Sequence, residues 1–149
     1  YDRSIIMTDA DVDGAHIASL LITYFYRELP GLIADGHLFL AVPPLYRLSQ
    51  GGKVAYARDD RHKEQLLAKE FKGAGKVEIG RFKGLGEMMP SQLNETTMKP
   101  GARAALKVVI PTGDEEPTES LVEQLMGRKP ELRFQYIQEN AKFAGELDI

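Results

Sequence analysis

The 149-residue sequence contains no cysteine and no tryptophan. Without cysteine there are no disulfides and no thiolate-held metal site, which suits a cytoplasmic protein. Long apolar runs are missing too. No stretch of about 18 consecutive apolar residues occurs, so nothing reads as a membrane span. No basic-then-apolar opening resembles a secretory signal. A strong charge of either sign is also lacking. The net charge of −3 excludes a protein that coats nucleic acid with its whole surface. Internal repeats and low-complexity tracts are absent. What remains is ordinary for a globular chain, 43% hydrophobic and 28% charged, and long enough for one cored domain with a short appendage. The chain opens at Tyr1 rather than Met, just ahead of a strand-like run, and reads as part of something longer.

The small net charge conceals an uneven distribution. Between Arg47 and Lys83 there are ten basic and five acidic residues, whereas from Pro111 onward nine acidic residues face four basic ones. A basic middle between acidic ends can face phosphates, and it can equally be a solvated helix surface.

Hydrophobic patterning lays out an α/β chain. "SIIMT" (4–8) and "HLFLAV" (37–42) read as strands, and "PPLYRLS" continues as extended chain because residues before proline avoid the helix. Ile17, Leu20, Leu21, Tyr24, Phe25 and Leu29 mark one face of a helix from Gly14, ended by Pro30-Gly31. "GGK" turns into "VAYA", and Asp59-Asp60 can cap a helix through about Glu70. "KVEIGRF" and "LKVVI" are further strands, with a glycine-rich "KGLGEM" and a short helix at "PSQLNETT" between them. Two helices close the chain, near 118–126 and 131–141. Strand, acidic loop, helix, strand opens a parallel sheet, and such sheets carry their chemistry in loops at strand carboxyl ends. Asp9 to Asp13 occupy that position.

Why three aspartates at alternate positions? Like charges so close repel unless a proton or cation lies between them. "DADVDG" begins as an EF-hand loop does, but loop position twelve falls on Leu20 where a bidentate Glu is required, and a strand precedes it. A strand-D-x-D phosphotransferase needs Lys and Asp at later strand ends, and no acidic pair follows a strand in the C-terminal half. A divalent-metal site for phosphodiester chemistry fits best. In extended chain Asp9 and Asp11 lie roughly 7 Å apart and point the same way. Mg²⁺ is content with one or two carboxylates, its other positions going to water or phosphate oxygens. The competing structural account is an acidic cap, with Asp13 satisfying free N–H groups of the helix.

"IIMTDADVDGAHI", "GHLFLAVPPLYRL", "RFKGLGEMMPSQLNETTM" and "ESLVEQLMGRKPELRFQYIQENA" together resemble the B subunits of bacterial type IIA topoisomerases, in order and over nearly the whole chain. The resemblance implies a TOPRIM fold at 1–110, a Rossmann-like parallel sheet flanked by helices, followed by an α-helical tail at 111–149. It implies Asp9 and Asp11 as catalytic Mg²⁺ ligands, Mn²⁺ or Ca²⁺ being able to substitute, with Asp13 auxiliary. His16 would lie near the DNA backbone, its alternative being a polar residue at a helix start. Arg81 and Lys83 would pair with phosphate, and Gly84 and Gly86 would allow its close approach, the alternative being a plain tight loop. Tyr46 is read as core packing.

The resemblance further implies double-stranded DNA as substrate, ATP used elsewhere in the full-length protein, and an A2B2 assembly. There the tyrosine of the partner A-type chain attacks DNA while Mg²⁺ stabilises the leaving 3′ oxygen. The family's upstream E-G-D-S glutamate is not found in this chain. The uninterrupted passage from 51 to 87 favours the topoisomerase IV branch over gyrases that carry an insertion there. The rival from another class is a non-catalytic α/β module whose acidic turn is structural and whose tail docks another protein of an assembly.

Overall fold

The computed structural model describes residues 2–73, 75–112 and 118–143. Two small sheets, each with its own helix and core, organise them. The first holds β1 (Ser4–Ile6), β2 (Leu38–Ala41) and β6 (Ala105–Lys107) in the order β1-β2-β6. The second holds β3 (Tyr46–Gln50), β4 (Lys53–Ala57) and β5 (Glu78–Arg81) in the order β4-β3-β5.

β1 and β2 pair in parallel with Ile5 opposite Phe39, and the crossover between them is α1 (Val12–Glu28) followed by the single-turn-scale α2 (Pro30–Ala34). Parallel order is confined to this pair among the described residues. β6 returns antiparallel to β2, and β3 is antiparallel to both its neighbours. For β3 and β4 the reason is connection length: the two-residue turn Gly51-Gly52 admits only an antiparallel partner. Both glycines have positive φ, 53° and 86°, as the tightest hairpins require, so a side chain at either would strain the turn.

The first core gathers Ile6, Ala18, Ile33 and the fully buried Leu38, with Ile22, Phe25, Tyr26, Leu40 and Val108 packed against them. The second gathers Tyr46, Leu48, Ala57 and Phe71 beneath α3 (Asp60–Glu70). Burial of side chains such as Leu38 and Leu48 stabilises each unit by about 1.5–3 kcal/mol per residue.

The face α1 turns to its sheet keeps Phe25 of the expected stripe, packed on the first core, and otherwise differs from it. Gly14 and Ala18 are buried, whereas Ile17, Leu20, Leu21 and Tyr24 are 39–54% exposed. Small residues occupy the buried positions, and at Gly14 the turn after β1 leaves no room for more: a Cβ there would stand 2.0 Å from the Asp9 carbonyl oxygen. Steric proximity therefore sets the phase of the helix, against its apolar stripe.

After β5 come a tight 3₁₀ turn at Leu85–Glu87, α4 (Pro90–Leu93) and a π-type turn at Asn94–Met98. Of the expected "LKVVI" strand only its start pairs as β6, Val108 adding one more bond to Leu38. α5 (Thr118–Met126) and α6 (Pro130–Asn140) form the closing pair. An Arg27–Glu123 ion pair of 2.8 Å ties α5 to α1. Among the described residues no helix is long and apolar enough to cross a membrane.

Candidate metal and phosphate site

The acidic turn lies where β1 hands over to α1, at the carboxyl end of the parallel pair. The chain bends around 10–11, Asp11 keeping an extended backbone of its own, and α1 begins at Val12, two residues earlier than the periodicity suggests. Asp11 is the cause. Its Oδ1 accepts from Gly14 N–H at 2.7 Å, making Asp11 the N-cap and leaving Asp13 in the first turn. Both placements are favourable, the first through a satisfied N–H and the second through the positive end of the helix. The capping account thus holds for Asp11, not for Asp13.

Asp9 is held differently. Its Oδ1 accepts the Leu85 backbone N–H at 2.7 Å, across 76 residues of chain. Asp9, Asp11 and Asp13 are all exposed, and none takes part in an ion pair among the described residues. Those residues also contain no group of three or more acidic or histidine side chains close enough to hold a metal. The three aspartates therefore do not converge as a ready three-carboxylate nest. A cation here would draw on one or two carboxylates, which is the manner of Mg²⁺. The donors fit such an ion: hard oxygen ligands without a cation of their own chain, one of them already oriented by a backbone N–H.

The remaining expected residues distribute around this turn unequally. His16 is exposed on α1, one turn beyond the cap. Arg81 ends β5 opposite Tyr46, and Lys83 is exposed two residues later. Gly84 packs against the Asp9 carboxylate itself, a placement for which phosphate was the expected neighbour. Gly86 has nothing within 4 Å of its missing Cβ, so open space surrounds it.

The basic stretch folds as the second sheet with α3, and part of it is used internally. Asp59 Oδ1 caps α3 through His62 N–H at 2.7 Å. Lys63 pairs with Asp60 and lies 4.3 Å from the Tyr46 ring centre, while the Tyr46 hydroxyl donates to Asp60 at 2.9 Å. These contacts hold the Asp60 carboxyl below the usual carboxylate range, the Lys63 hydrogen bond first and the Tyr46 hydroxyl second. Lys53 closes the other end of the helix, 3.0 Å from Glu70 and 5.3 Å from the Phe71 ring centre. Tyr46 is thus a core residue with a polar tip, as read from the sequence. Two contacts had escaped that reading: the Leu85–Asp9 bond and the Tyr46–Asp60–Lys63 cluster. "GLG" carries the signal for the first, a close backbone approach, which the resemblance directs to phosphate.

A strand leading into D-x-D, capped into a helix and approached by a returning glycine loop, is the arrangement of a Toprim-type α/β domain. A family model described as the Toprim domain matches residues 1–42, and one described as the DNA gyrase B subunit, carboxyl terminus, matches residues 74–138. The chain is 66% identical over 149 residues to the DNA topoisomerase 4 B subunit of Bartonella bacilliformis, covering all of this chain and 22% of that protein. Against the DNA topoisomerase 4 B subunit of Caulobacter vibrioides it is 70% identical over 150 residues, covering 21% of that protein. The DNA gyrase B subunit of Metamycoplasma hominis is 50% identical over 149 residues, again the whole of this chain. The chain belongs to the family of type IIA topoisomerase B subunits, and it spans about a fifth of the length of the curated relatives it matches.

Proposed function

We propose that this chain is the cation-holding segment of a topoisomerase IV-type B subunit, working on double-stranded DNA in the cytoplasm. The observation that carries the reading is the acidic turn itself: three exposed carboxylates at a strand's carboxyl end, without an ion pair among the described residues. Asp9 and Asp11 would hold Mg²⁺, Asp11 through the oxygen not used for capping, with Asp13 adding negative potential nearby. When bound, the ion supplies Lewis-acid stabilisation of charge on phosphate oxygens. The chain's own residues supply the rest. Asp9 presents a carboxylate oriented by Leu85 N–H. Lys83 and Arg81, at the end of β5, pair with backbone phosphates without reading sequence. Gly86 leaves clearance for a phosphate, and His16 contributes a further polar contact from α1.

The same reading makes 1–110 the Toprim unit and 111–149 a tail suited to contact with a partner, within an A2B2 assembly. The attacking tyrosine then comes from the A-type partner, and ATP is used elsewhere in the full-length protein. Gyrase B is the second reading, favoured by the uninterrupted match to the Metamycoplasma hominis protein.

The test is supercoil relaxation with the full-length protein assembled with its A-type partner. Asp9→Ala is expected to lower Mg²⁺-dependent cleavage and relaxation by more than the about 10–100-fold that loss of an outer hydrogen-bond partner of a metal ligand costs. Relaxation at the unaltered rate contradicts the assignment.

A further inference from the structure

The loop after β5 reaches back to the acidic turn with two successive residues, and each does something different to Asp9. Leu85 donates its backbone N–H to Asp9 Oδ1 at 2.7 Å. Gly84 supplies room: a Cβ built there would stand 2.9 Å from Asp9 Cγ and Oδ2 and 3.0 Å from Oδ1. Its backbone, at φ −162° and ψ 172°, is extended and open to any residue, so space and not conformational freedom demands the glycine. The loop is itself fixed. Glu87 Oε2 accepts from Lys83 N–H at 2.8 Å, Glu87 N–H returns to the Gly84 carbonyl at 3.1 Å, and Phe82 N–H is anchored on the Leu45 carbonyl at 2.8 Å.

We propose that Gly84 and Leu85 are positioning residues for Asp9, with Glu87 holding the turn that presents them. The proposal rests on Asp9 being a cation ligand, as read above. Leu85 N–H occupies one carboxylate oxygen, so Asp9 offers the other to the ion. A carboxylate offering a single oxygen suits a small octahedral cation such as Mg²⁺ or Mn²⁺. The arrangement resembles the outer layer of hydrogen bonds that orients ligands in other metal sites, whose loss typically costs about 10–100-fold in metal affinity. It also joins the two units of the fold, because the loop that orients Asp9 is the direct continuation of β5 and its cations. Cation affinity and phosphate engagement are then coupled, and coupling of binding affinities is reciprocal.

The local geometry supplies clean variants. Leu85 is the first residue of a 3₁₀ turn, where its N–H is not needed within the turn and proline is tolerated. Gly84 before it is already in the extended region that a residue preceding proline prefers. Leu85→Pro therefore deletes the N–H, and Leu85→Ala keeps it while removing the side chain. Gly84→Ala displaces only the far end of the Asp9 side chain, which leaves folding intact.

The experiment is titration calorimetry of Mn²⁺ into the full-length protein, with thermal unfolding of each metal-free variant alongside. Gly84→Ala and Leu85→Pro are expected to weaken Mn²⁺ binding about 10–100-fold, with Leu85→Ala near wild type and metal-free melting of Gly84→Ala unchanged. Unchanged affinity in Gly84→Ala, or equal losses in Leu85→Ala and Leu85→Pro, overturns the positioning role. Asp9→Asn separates the two ideas. If it abolishes binding while Gly84→Ala does not weaken it, only the positioning role falls. If Asp9→Asn itself binds Mn²⁺ normally, the cation reading falls first.

Discussion

The turn into α1 and the turn into α3 are built alike and end differently. In both, an aspartate caps the helix at 2.7 Å, Asp11 onto Gly14 N–H and Asp59 onto His62 N–H. A second aspartate lies in the first turn of each helix, Asp13 in one and Asp60 in the other. Around α3 the charges are matched within the chain, because Lys63 and the Tyr46 hydroxyl engage Asp60. Around α1 no ion pair among the described residues includes Asp9, Asp11 or Asp13. Capping explains one acid in each turn and a lysine explains Asp60. Asp9 and the second oxygen of Asp11 are the carboxylate groups that the proposed cation would use, with Asp13 adding negative potential beside them.

The comparison is sharpened first by asking whether the two units stand or fall together. Leu38 and Leu48 are each fully buried, one in each core. Leu38→Ala and Leu48→Ala should each cost about 2–5 kcal/mol by chemical denaturation. If only the first also lowers metal affinity, the acidic turn depends on its own core; equal losses of affinity show that the second unit supports the site through the loop at 82–87. A smaller effect comes from the caps. Asp11→Ala and Asp59→Ala should each cost about 0.5–2 kcal/mol, with Ser restoring most of the loss at both positions. Only the Asp11 variants should alter Mn²⁺ binding, and equal indifference of both turns to metal breaks the comparison.

The smallest effect is in the pH profile. The Asp60 carboxyl is held below its usual range, so its contribution to stability is present above the ordinary carboxylate range and fades as pH falls through the lowered folded-state value. Lys63 is raised by the Asp60 hydrogen bond, so its contribution is complete below the ordinary lysine range and fades as pH rises through the raised value. Melting temperature against pH should therefore lose part of its slope at both extremes in Asp60→Asn. An unchanged profile removes the Asp60–Lys63 pair from the account.

Much of this was readable from local patterns. The Asp59 cap announced α3 to within a residue, and Gly51-Gly52 announced the hairpin, because a cap and a two-residue turn need only their neighbours. Tyr46 was rightly assigned to the core. What escaped depends on contacts far apart in sequence. The apolar stripe of α1 named Ile17, Leu20, Leu21, Tyr24, Phe25 and Leu29; Phe25 does pack on the first core, but Gly14 and Ala18 take the buried positions and the other five are exposed. The competing capping account named Asp13, but Asp11 makes the cap and so starts the helix two residues earlier. "KGLG" read as a phosphate loop because glycine marks a close approach without saying to what. For Gly84 the close neighbour is the Asp9 carboxylate, which no spacing rule connects to it.

The most direct test compares the two acidic turns in one measurement, the melting temperature of the full-length protein with and without excess Mn²⁺. A ligand that binds only the folded state stabilises it by about 2.7 kcal/mol at a hundred times its Kd. Wild type and Asp60→Asn should both gain that stabilisation, and Asp9→Asn/Asp11→Asn should gain none. An equal rise in all three proteins would contradict the claim that the first turn, unlike the second, awaits an external cation.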